Sequence, residues 1–501
     1  MKLLTGAQIR EWDAYTIANE PISSIDLMER ASRVFVDWFR HSEYAAGNKV
    51  YIFCGNGNNG GDGLAIARML RDYFFEVKVY VLRFSSEDST DFDVNLGKLL
   101  ALGDVAVEFI HDKLPEIPAH GVIIDALLGT GVTRPVTGKL QELIQAINCV
   151  NSCQVISVDM PSGLPAEGPA IGPIMEADIV CTFQVPKLSF FHPENAKYCP
   201  RWVTGNIRLT DSYLNTVDTQ VILVDQSVAG ALRKSRTRYQ HKGDFGHVMI
   251  VAGSDGKSGA AILSTKACLR SGAGLVTACV PEATFTALNT AVPEAMTVMS
   301  GRRFLEVHYD TDYTAYTLGI GPGLGREPVT ANSLEHILRS TSRPVVLDAD
   351  AINILADDND MWGHIPQNSI LTPHPGEFKR LFGDSQNSFE MYETLKQKSA
   401  EHCVIIVLKG AFTRIATPEG KVYINSTGNP GMATAGAGDV LTGIITGLLA
   451  QNYLPGDAAI LGVYIHGLAG DLALVSSSPE SLIAGDITNH LGQAFAALDK
   501  L

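Results

Sequence analysis

Apolar positions along this chain follow two alternating rhythms. Leu27, Met28, Ala31, Val34, Phe35, Trp38 and Phe39 recur at three- and four-residue intervals, the period of a helix with one buried face. The run Val50 to Cys54 is unbroken and too short for a helix, so it reads as a strand buried on both faces. Thr5 with Gln8 has the pattern of a capping box and predicts that a first helix opens there. After Cys54 comes a loop from Gly55 to Gly63, then an amphipathic helix through Leu64, Ile66, Ala67 and Leu70. Further apolar runs at Val77 to Leu82, Val122 to Leu128, Val155 to Val158 and Ile179 to Phe183 alternate with helical stretches. That alternation predicts a doubly wound, mostly parallel sheet covered on both faces.

The rhythm breaks between Ser212 and Gln240, and a boundary is expected near Asp218. The basic cluster Arg233, Lys234, Arg236, Arg238, His241 and Lys242 reads as a solvated linker in preference to a phosphate or nucleic-acid contact. From Gly246 the strand, glycine loop, helix rhythm resumes, with strands expected at Leu275 to Val280, Tyr316 to Ile320, Val345 to Leu347, Val404 to Leu408 and Val422 to Ile424. Beyond Gly438 the chain is helical and rich in small residues, which allow close helix packing. No internal repeat or low-complexity segment interrupts this two-part plan.

A length of 501 residues accommodates two or three domains of about 150 residues each. Hydrophobic residues at 46% and charged residues at 19% give the balance of a globular chain. With 39 basic against 54 acidic residues the net charge is -15, which disfavours nucleic-acid and membrane partners and favours small molecules. The eight cysteines are dispersed without a C-x-x-C pair, as expected of reduced structural thiols in a cytoplasmic protein, and Cys149 and Cys153 read as packing residues, not zinc ligands. The first residues turn polar before a signal-peptide core can form, and Gln451, Asn452, His466 and Asp471 break the apolar stretches near the C-terminus, so no membrane span is expected.

The loop Gly55-Asn-Gly-Asn-Asn-Gly-Gly-Asp-Gly63 has five glycines in nine positions between a strand and a helix. Backbone N–H groups there point toward an anion, and a phosphate or pyrophosphate fits. It lacks the lysine of a P-loop and the spacing of a Rossmann fingerprint. A tight turn alone explains the glycines but not the neighbouring Asn56, Asn58, Asn59 and Asp62. Two more loops, Asp125 to Pro135 and Ser157 to Gly163, end strands of the same predicted sheet, so Asn59, Asp125, Asp159 and Ser162 converge on one crevice with oxygens suited to a hard cation.

These three motifs, GNGNNGGDG, DALLGTG and VDMPSG, resemble the epimerase domain of the NAD(P)H-hydrate repair family over about residues 1 to 214. The resemblance implies a Rossmann-like domain, residues 1–217, that interconverts the two C6 epimers of hydrated NAD(P)H and uses potassium. It assigns potassium to Asn59, Asp125 and Ser162. Substrate contacts fall to Asn56, Gly57, Asn58, Asn59, Gly60, Gly61 and Asp62, to Gly129, Thr130, Gly131, Val132, Thr133, Arg134 and Pro135, and to Asp159. A carboxylate such as Asp159 suits proton relay for loss and return of the C6 hydroxyl; which group protonates the leaving oxygen is open.

In the second part, Gly428 to Asp439 runs straight into a helix. Small residues let backbone N–H groups approach a transferring phosphoryl group, and Asp439 stands where it can accept a hydroxyl proton; a capped helix start is the plainer reading. Gly319 to Gly325, Asp348 to Asn353 and Thr372 to Lys379 each follow an apolar run, and Lys409 brings a charge to a buried strand end. The motifs HPGE, LKG and NPGMATAGAGD resemble the ADP/ATP-dependent NAD(P)H-hydrate dehydratase branch of the ribokinase-like fold, covering residues 226–501. The resemblance implies a C-terminal ribokinase-like α/β sandwich in which ADP, with ATP as the other candidate, phosphorylates the C6 hydroxyl with Mg2+, after which phosphate leaves. By it Gly323, His374, Pro375, Gly376, Glu377, Phe378, Lys379, Arg380 and Asp439 hold the hydrate. Lys409, Gly410, Ala411, Phe412 and Thr413 hold the nucleotide with Asn429, Pro430, Gly431, Met432, Ala433, Thr434, Ala435, Gly436, Ala437 and Gly438, and Asp439 is the base. The expected substrates are NADHX and NADPHX, and a homo-oligomer is expected. The alternatives are a kinase of a stable alcohol and an N-terminal half that binds ligand without catalysis.

Overall fold

The structure, a computed structural model, describes residues 1–47, 49–307 and 311–500. The chain forms two compact units, one of residues 2–219 with 387–389, the other of Met1, 220–386 and 390–501.

The first unit holds strands β1 (Lys49–Cys54), β2 (Glu76–Leu82), β3 (Ala106–Ile110), β4 (Gly121–Ala126), β5 (Cys153–Val158), β6 (Ile179–Phe183) and β7 (Trp202–Gly205). They form one sheet in the order β3-β2-β1-β4-β5-β6-β7, and every pairing is parallel. Helices α1 (Gly6–Asn19), α2 (Ser24–Arg40), α3 (Asn58–Asp72), α4 (Thr90–Leu102) and α5 (Gly138–Asn148) cover it. The Thr5 hydroxyl accepts the Gln8 amide at 3.1 Å and the Gln8 side chain accepts the Thr5 amide at 3.0 Å, so the capping box forms as read from sequence. Ile52, Leu64, Ile66 and Phe35 pack one face of the sheet and Phe53, Ile123, Leu143 and Ile144 the other.

The second unit holds β8 (Val221–Val224), β9 (His247–Val251), β10 (Leu275–Val280), β11 (Met296–Met299), β12 (Thr317–Ile320), β13 (Val346–Leu347), β14 (Ile370–Leu371), β15 (Ile405–Leu408), β16 (Arg414–Ala416) and β17 (Val422–Asn425). Their order is β11-β10-β9-β12-β13-β14-β15-β16-β17-β8. Only the two pairings made by β16 are antiparallel. Helices α6 (Gln226–Leu232), α7 (Ser258–Arg270), α8 (Glu282–Ala291), α9 (Pro328–Arg339), α10 (Ala349–Asp357), α11 (Pro375–Phe382), α12 (Ser388–Glu401), α13 (Ala437–Ala450), α14 (Pro455–Leu474) and α15 (Ala484–Ala497) complete the α-helices among the described residues, and short 3-10 turns join several elements. Both units are α/β folds built on largely parallel sheets.

Two readings are corrected. The run from Val122 leaves the sheet at Ala126, and Leu127 and Leu128 belong to the loop. Gln451 and Asn452 do break the apolar stretch, lying between α13 and α14, but His466 and Asp471 do not: α14 runs through both, is 20 residues long and reaches a mean hydropathy of 1.3, enough by length and composition to cross a membrane. It is 67% buried within the unit, and its polar groups have partners there, His466 on the Ala437 carbonyl at 3.0 Å and Asp471 on the Asn429 side chain at 2.9 Å. Those properties are those of a core helix.

Candidate active sites

The strand order of the first sheet reverses between β1 and β4, and ligands of open parallel sheets sit at the carboxyl ends flanking such a point. A cavity of about 360 Å³ lies there, lined by the predicted residues Asn58, Asn59, Asp62, Gly129, Thr130, Gly131 and Asp159. Gly57 precedes α3 as its N-cap, leaving the first-turn amides without intrahelical acceptors. Gly60 and Gly61 are packing positions against the Gly55 carbonyl and Met28. Asn56 faces elsewhere. Its side-chain nitrogen donates to Ser85 O, Glu87 O and Asp88 Oδ1 at 3.0 to 3.1 Å, so its amide holds the loop after β2 instead of the cavity. Val132, Thr133, Arg134 and Pro135 lie outside the cavity lining.

Six polar lining residues were not singled out from sequence as site residues: Arg10, Asp13, Ser24, Asp91, Gln184 and Lys187. Lys187 is fully buried and pairs with Asp159 Oδ1, which also accepts the Phe183 amide at 2.9 Å and the Thr182 hydroxyl at 3.2 Å. A buried ammonium is tolerable only with such partners. Asp159 sits in the left-handed region at φ 65°, its own amide tied to the Cys181 carbonyl at 2.9 Å, so the turn aims the carboxylate at this lysine. Burial, reinforced by the Asp159 charge, pushes the Asp13 carboxyl up to about 7 against the opposing pull of Lys187. Asp62 is pushed well up by burial and by Asp159 and Asp13. The signals for Asp13 and Lys187 were faint, because a lone polar residue on an amphipathic helix or after a strand looks like a solvated position.

Asp125 and Ser162 do meet. The buried Asp125 carboxylate accepts Ser162 N at 2.9 Å, Ser157 Oγ at 2.8 Å and Leu127 N at 3.3 Å, and also the Ser162 hydroxyl; burial pushes it up while these bonds pull it down. The Leu128 amide donates to Ser162 Oγ at 2.8 Å. The side-chain nitrogen of Asn59 is buried without a partner, and Asn59 lies against Gly129 in the same loop. The Asp125 carboxylate, the Ser162 hydroxyl and the Asn59 amide oxygen are the oxygen types a monovalent hard cation takes, whereas the unmet Asn59 nitrogen is a hydrogen-bond donor and ligates none.

In the second unit a charged cluster forms at the ends of β13, β14 and β15. Lys409 Nζ lies 2.8 Å from Asp348 Oδ1 and 3.9 Å from Glu377 Oε2. Burial works against the Lys409 charge, but Asp348 and Glu377 outweigh it and hold its pKa up. The Thr442 hydroxyl of α13 donates to Asp348 Oδ2 at 2.7 Å. Asp439 opens the same helix, and burial with the nearby Asp348 pushes its carboxyl to about 7 despite Lys409. Gly436 is left-handed at φ 87°, which turns the chain into α13, and a side chain on Gly438 would meet Lys409 Nζ at 3.4 Å.

Asp350 accepts Lys257 Nζ at 3.0 Å and Gly325 N at 2.9 Å, Asn353 reaches it, and Arg380 bonds Asn353. That relay brings the loop holding Gly323 and the helix holding Arg380 to one line. His374 caps α11, its Nδ1 accepting Gly376 N at 2.9 Å and Glu377 N at 3.2 Å, with Pro375 in the first turn. Phe378 is a core residue against Phe382, and Lys379 turns out to Asp384 at 2.6 Å; neither joins the cluster. Asn429 ties to Asp471, Met432 packs against Gly470, and the Gly410 amide meets Thr413 Oγ1 at 3.3 Å. Sequence reasoning quoted Asp348 and Asp350 without a role; a strand ending in Asp before a helix was the available signal.

Residues 248–491 match the family model described as NAD(P)H-hydrate dehydratase, and residues 24–189 match that of the YjeF-related protein N-terminus. The chain is 36% identical to the bifunctional NAD(P)H-hydrate repair enzyme Nnr of Moorella thermoacetica, across 100% of this chain and 98% of that one. It is 33% identical to the enzyme of the same name from Escherichia coli, across 93% and 88%. The ADP/ATP-dependent NAD(P)H-hydrate dehydratase of Bacillus subtilis, solved with ATP and Mg2+, is 30% identical and aligns at a TM-score of 0.49 over 56% of this chain and 100% of its own.

Proposed function

The chain belongs to the family of bifunctional NAD(P)H-hydrate repair enzymes, and from that premise we propose that residues 1–217 carry the epimerase and residues 226–501 the dehydratase. The observation that carries this division is that each unit holds its own set of paired acids: Asp159 with Lys187 on a cavity in the first, Asp439 beside Asp348 and Lys409 in the second.

In the epimerase site the first-turn amides of α3 and Gly129 to Gly131 receive the substrate's phosphates, and the nicotinamide ring reaches Asp159. Asn59, Asp125 and Ser162 would hold potassium. A bound potassium supplies a fixed positive charge that anchors the glycine loops against the anionic substrate. Asp159, paired with the buried Lys187, relays the proton for loss and return of the C6 hydroxyl.

In the dehydratase site Asp439 takes the proton of the C6 hydroxyl as that oxygen attacks a nucleotide phosphorus. Amides of Gly436 to Gly438 and the Lys409 ammonium stabilise the charge that develops on the phosphoryl oxygens. The ring nitrogen's lone pair then expels phosphate, and loss of a C5 proton restores the dihydronicotinamide. With ADP as donor the products are NAD(P)H, AMP and phosphate. The acids here are already countered by Lys409 and Lys257, which fits a magnesium ion carried in on the nucleotide's phosphates, where it supplies charge neutralisation. Gly323, Glu377 and Arg380 border the hydrate, and Gly410 to Thr413 with Asn429 to Thr434 border the nucleotide. A homo-oligomer in the cytoplasm completes the reading.

The test gives purified protein a mixed-epimer preparation of hydrated NADH with ADP, with ATP or with neither, and follows the return of reduced-nicotinamide absorbance. Complete return with one nucleotide supports both activities. A stable phosphate ester in place of free phosphate overturns the dehydratase reading in favour of a kinase.

A further inference from the structure

The epimerase cavity presents four carboxyl groups, Asp13, Asp62, Asp91 and Asp159, and they are not equivalent; Asp91 accepts the Ser24 hydroxyl. Asp159 is met by Lys187, the Phe183 amide and the Thr182 hydroxyl, all donors. Asp62 lies in the second turn of α3, receives the Ser32 hydroxyl at 3.4 Å, and is pushed well up by burial and by the Asp159 and Asp13 charges. Asp13 differs from the others. It is carried by α1 with Ile9 and Ile17 at four-residue spacing, a stripe that lines the cavity, and its carboxyl has no hydrogen bond among the described residues. The charged groups facing it are Arg10 on its own helix, Asp62 from α3, Asp91 from α4, and Asp159 with Lys187 from the loops after β5 and β6. Apolar walls from Leu27 and Ala31 border the same space.

We propose that Asp13 is the general acid of the epimerase site, the group that protonates the C6 hydroxyl as it leaves, with Asp159 as its partner base. This rests on the epimerase reading of the first unit. Asp159 is tied to an ammonium and two further donors while Asp13 has no such partner, a difference in surroundings that divides them into base and acid; burial and Asp159 raise Asp13 to about 7, leaving it a proton to give near neutrality. In the step, the Asp13 carboxyl gives its proton to the C6 oxygen. The C–O bond breaks, water leaves, and the ring nitrogen's lone pair closes a C=N bond. Water then adds to the opposite face of C6 and its proton passes to Asp159. Release of that proton to solvent and uptake of one by Asp13 reset the site, so atoms and charges balance without an oxidant or co-reactant.

The experiment uses the full-length chain and hydrated NADH without nucleotide, separating the epimers by chromatography to follow their interconversion across pH 5.5 to 9, on the order of two pH units either side of neutrality. Wild-type kcat/KM should fall as pH rises through about 7, because the acid form of Asp13 is lost. Asp13→Asn should lower kcat about 100-fold or more with KM little changed and should remove that alkaline limb. Asp13→Glu should restore the limb at a reduced rate, and serves where the amide disturbs folding. Dehydratase turnover of the competent epimer by each variant reports that the chain is otherwise intact. An Asp13→Asn protein that interconverts epimers within threefold of wild type, or keeps the limb, overturns the proposal, as does an Asp62→Asn protein that alone loses it. A wild-type chain that does not interconvert epimers overturns the epimerase reading itself, a result distinct from either.

Discussion

Asp439 and Asp13, the proposed proton-transfer groups, show the cost of holding a carboxyl in a crowded acid site. For Asp439 the sign is definite: the folded protein holds its carboxyl near 7, above the value in an unfolded chain, so the folded state is disfavoured increasingly as pH rises from about 4 to about 7. Asp439→Asn removes that charge. The variant should be more stable than the parent by on the order of 1 to 4 kcal/mol at pH 8, with the gain fading toward pH 4, as denaturant unfolding at the two pH values checks. Its dehydratase kcat should fall by about 100-fold or more, and the rise of wild-type kcat/KM through about pH 7, where the base form appears, should vanish. Potassium gives a second residue-scale outcome. Asp125 sits among donors that hold a carboxylate, and replacing it with Asn leaves those donors facing an NH2 group. Asp125→Asn should make epimerisation indifferent to exchange of K+ for Na+, while the parent slows; an unaltered response in the variant counts against the cation assignment.

Strand, glycine turn and helix form the recurring element, and the turn after β1 is its tightest. A Cβ built on Gly60 would stand 1.8 Å from the Gly55 carbonyl oxygen, a contact with backbone that no side-chain rotation relieves. Gly60→Ala should therefore destabilise the first unit by about 3 kcal/mol and abolish epimerisation while the dehydratase persists, read as a lowered first transition in calorimetry. Such turns were legible because glycine runs at strand ends are written in the chain. The four strands that close the two sheets, β3, β7, β8 and β11, were not. An edge strand has one neighbour and one exposed side, so it is short or mixes polar residues, as in Ala106-Val-Glu-Phe-Ile110, and its pattern fades into that of a loop. Two residues of the first cavity were hidden for a different reason. Lys187 and Asp13 acquire meaning only when the fold brings α1 and the loop after β6 onto one cavity. Asn56, read as a ligand contact because it stands in the glycine loop, spends its amide on the neighbouring turn.

At the scale of the whole molecule, each site is complete within its own unit. Every residue lining the epimerase cavity lies between Ile9 and Leu209, and the cluster of Asp348, Lys409, Glu377 and Asp439 lies wholly in the other unit. Among the described residues neither proposed site draws a lining group from the other unit, so on the proposed division loss of one chemistry should leave the other working. Asp159→Asn, given mixed epimers and nucleotide, should return only the fraction of reduced nicotinamide that the dehydratase accepts directly. Asp439→Asn should return none, yet still bring the two epimers to their equilibrium ratio. The decisive sample mixes the two variants. With self-sufficient sites and a substrate free in solution, the mixture should reach complete recovery, at a rate set by the slower enzyme and rising with the concentration of either. Recovery that stalls in the mixture but completes in wild type would mean that substrate passes between the sites of one chain without release, and that the two units act as more than a covalent pairing.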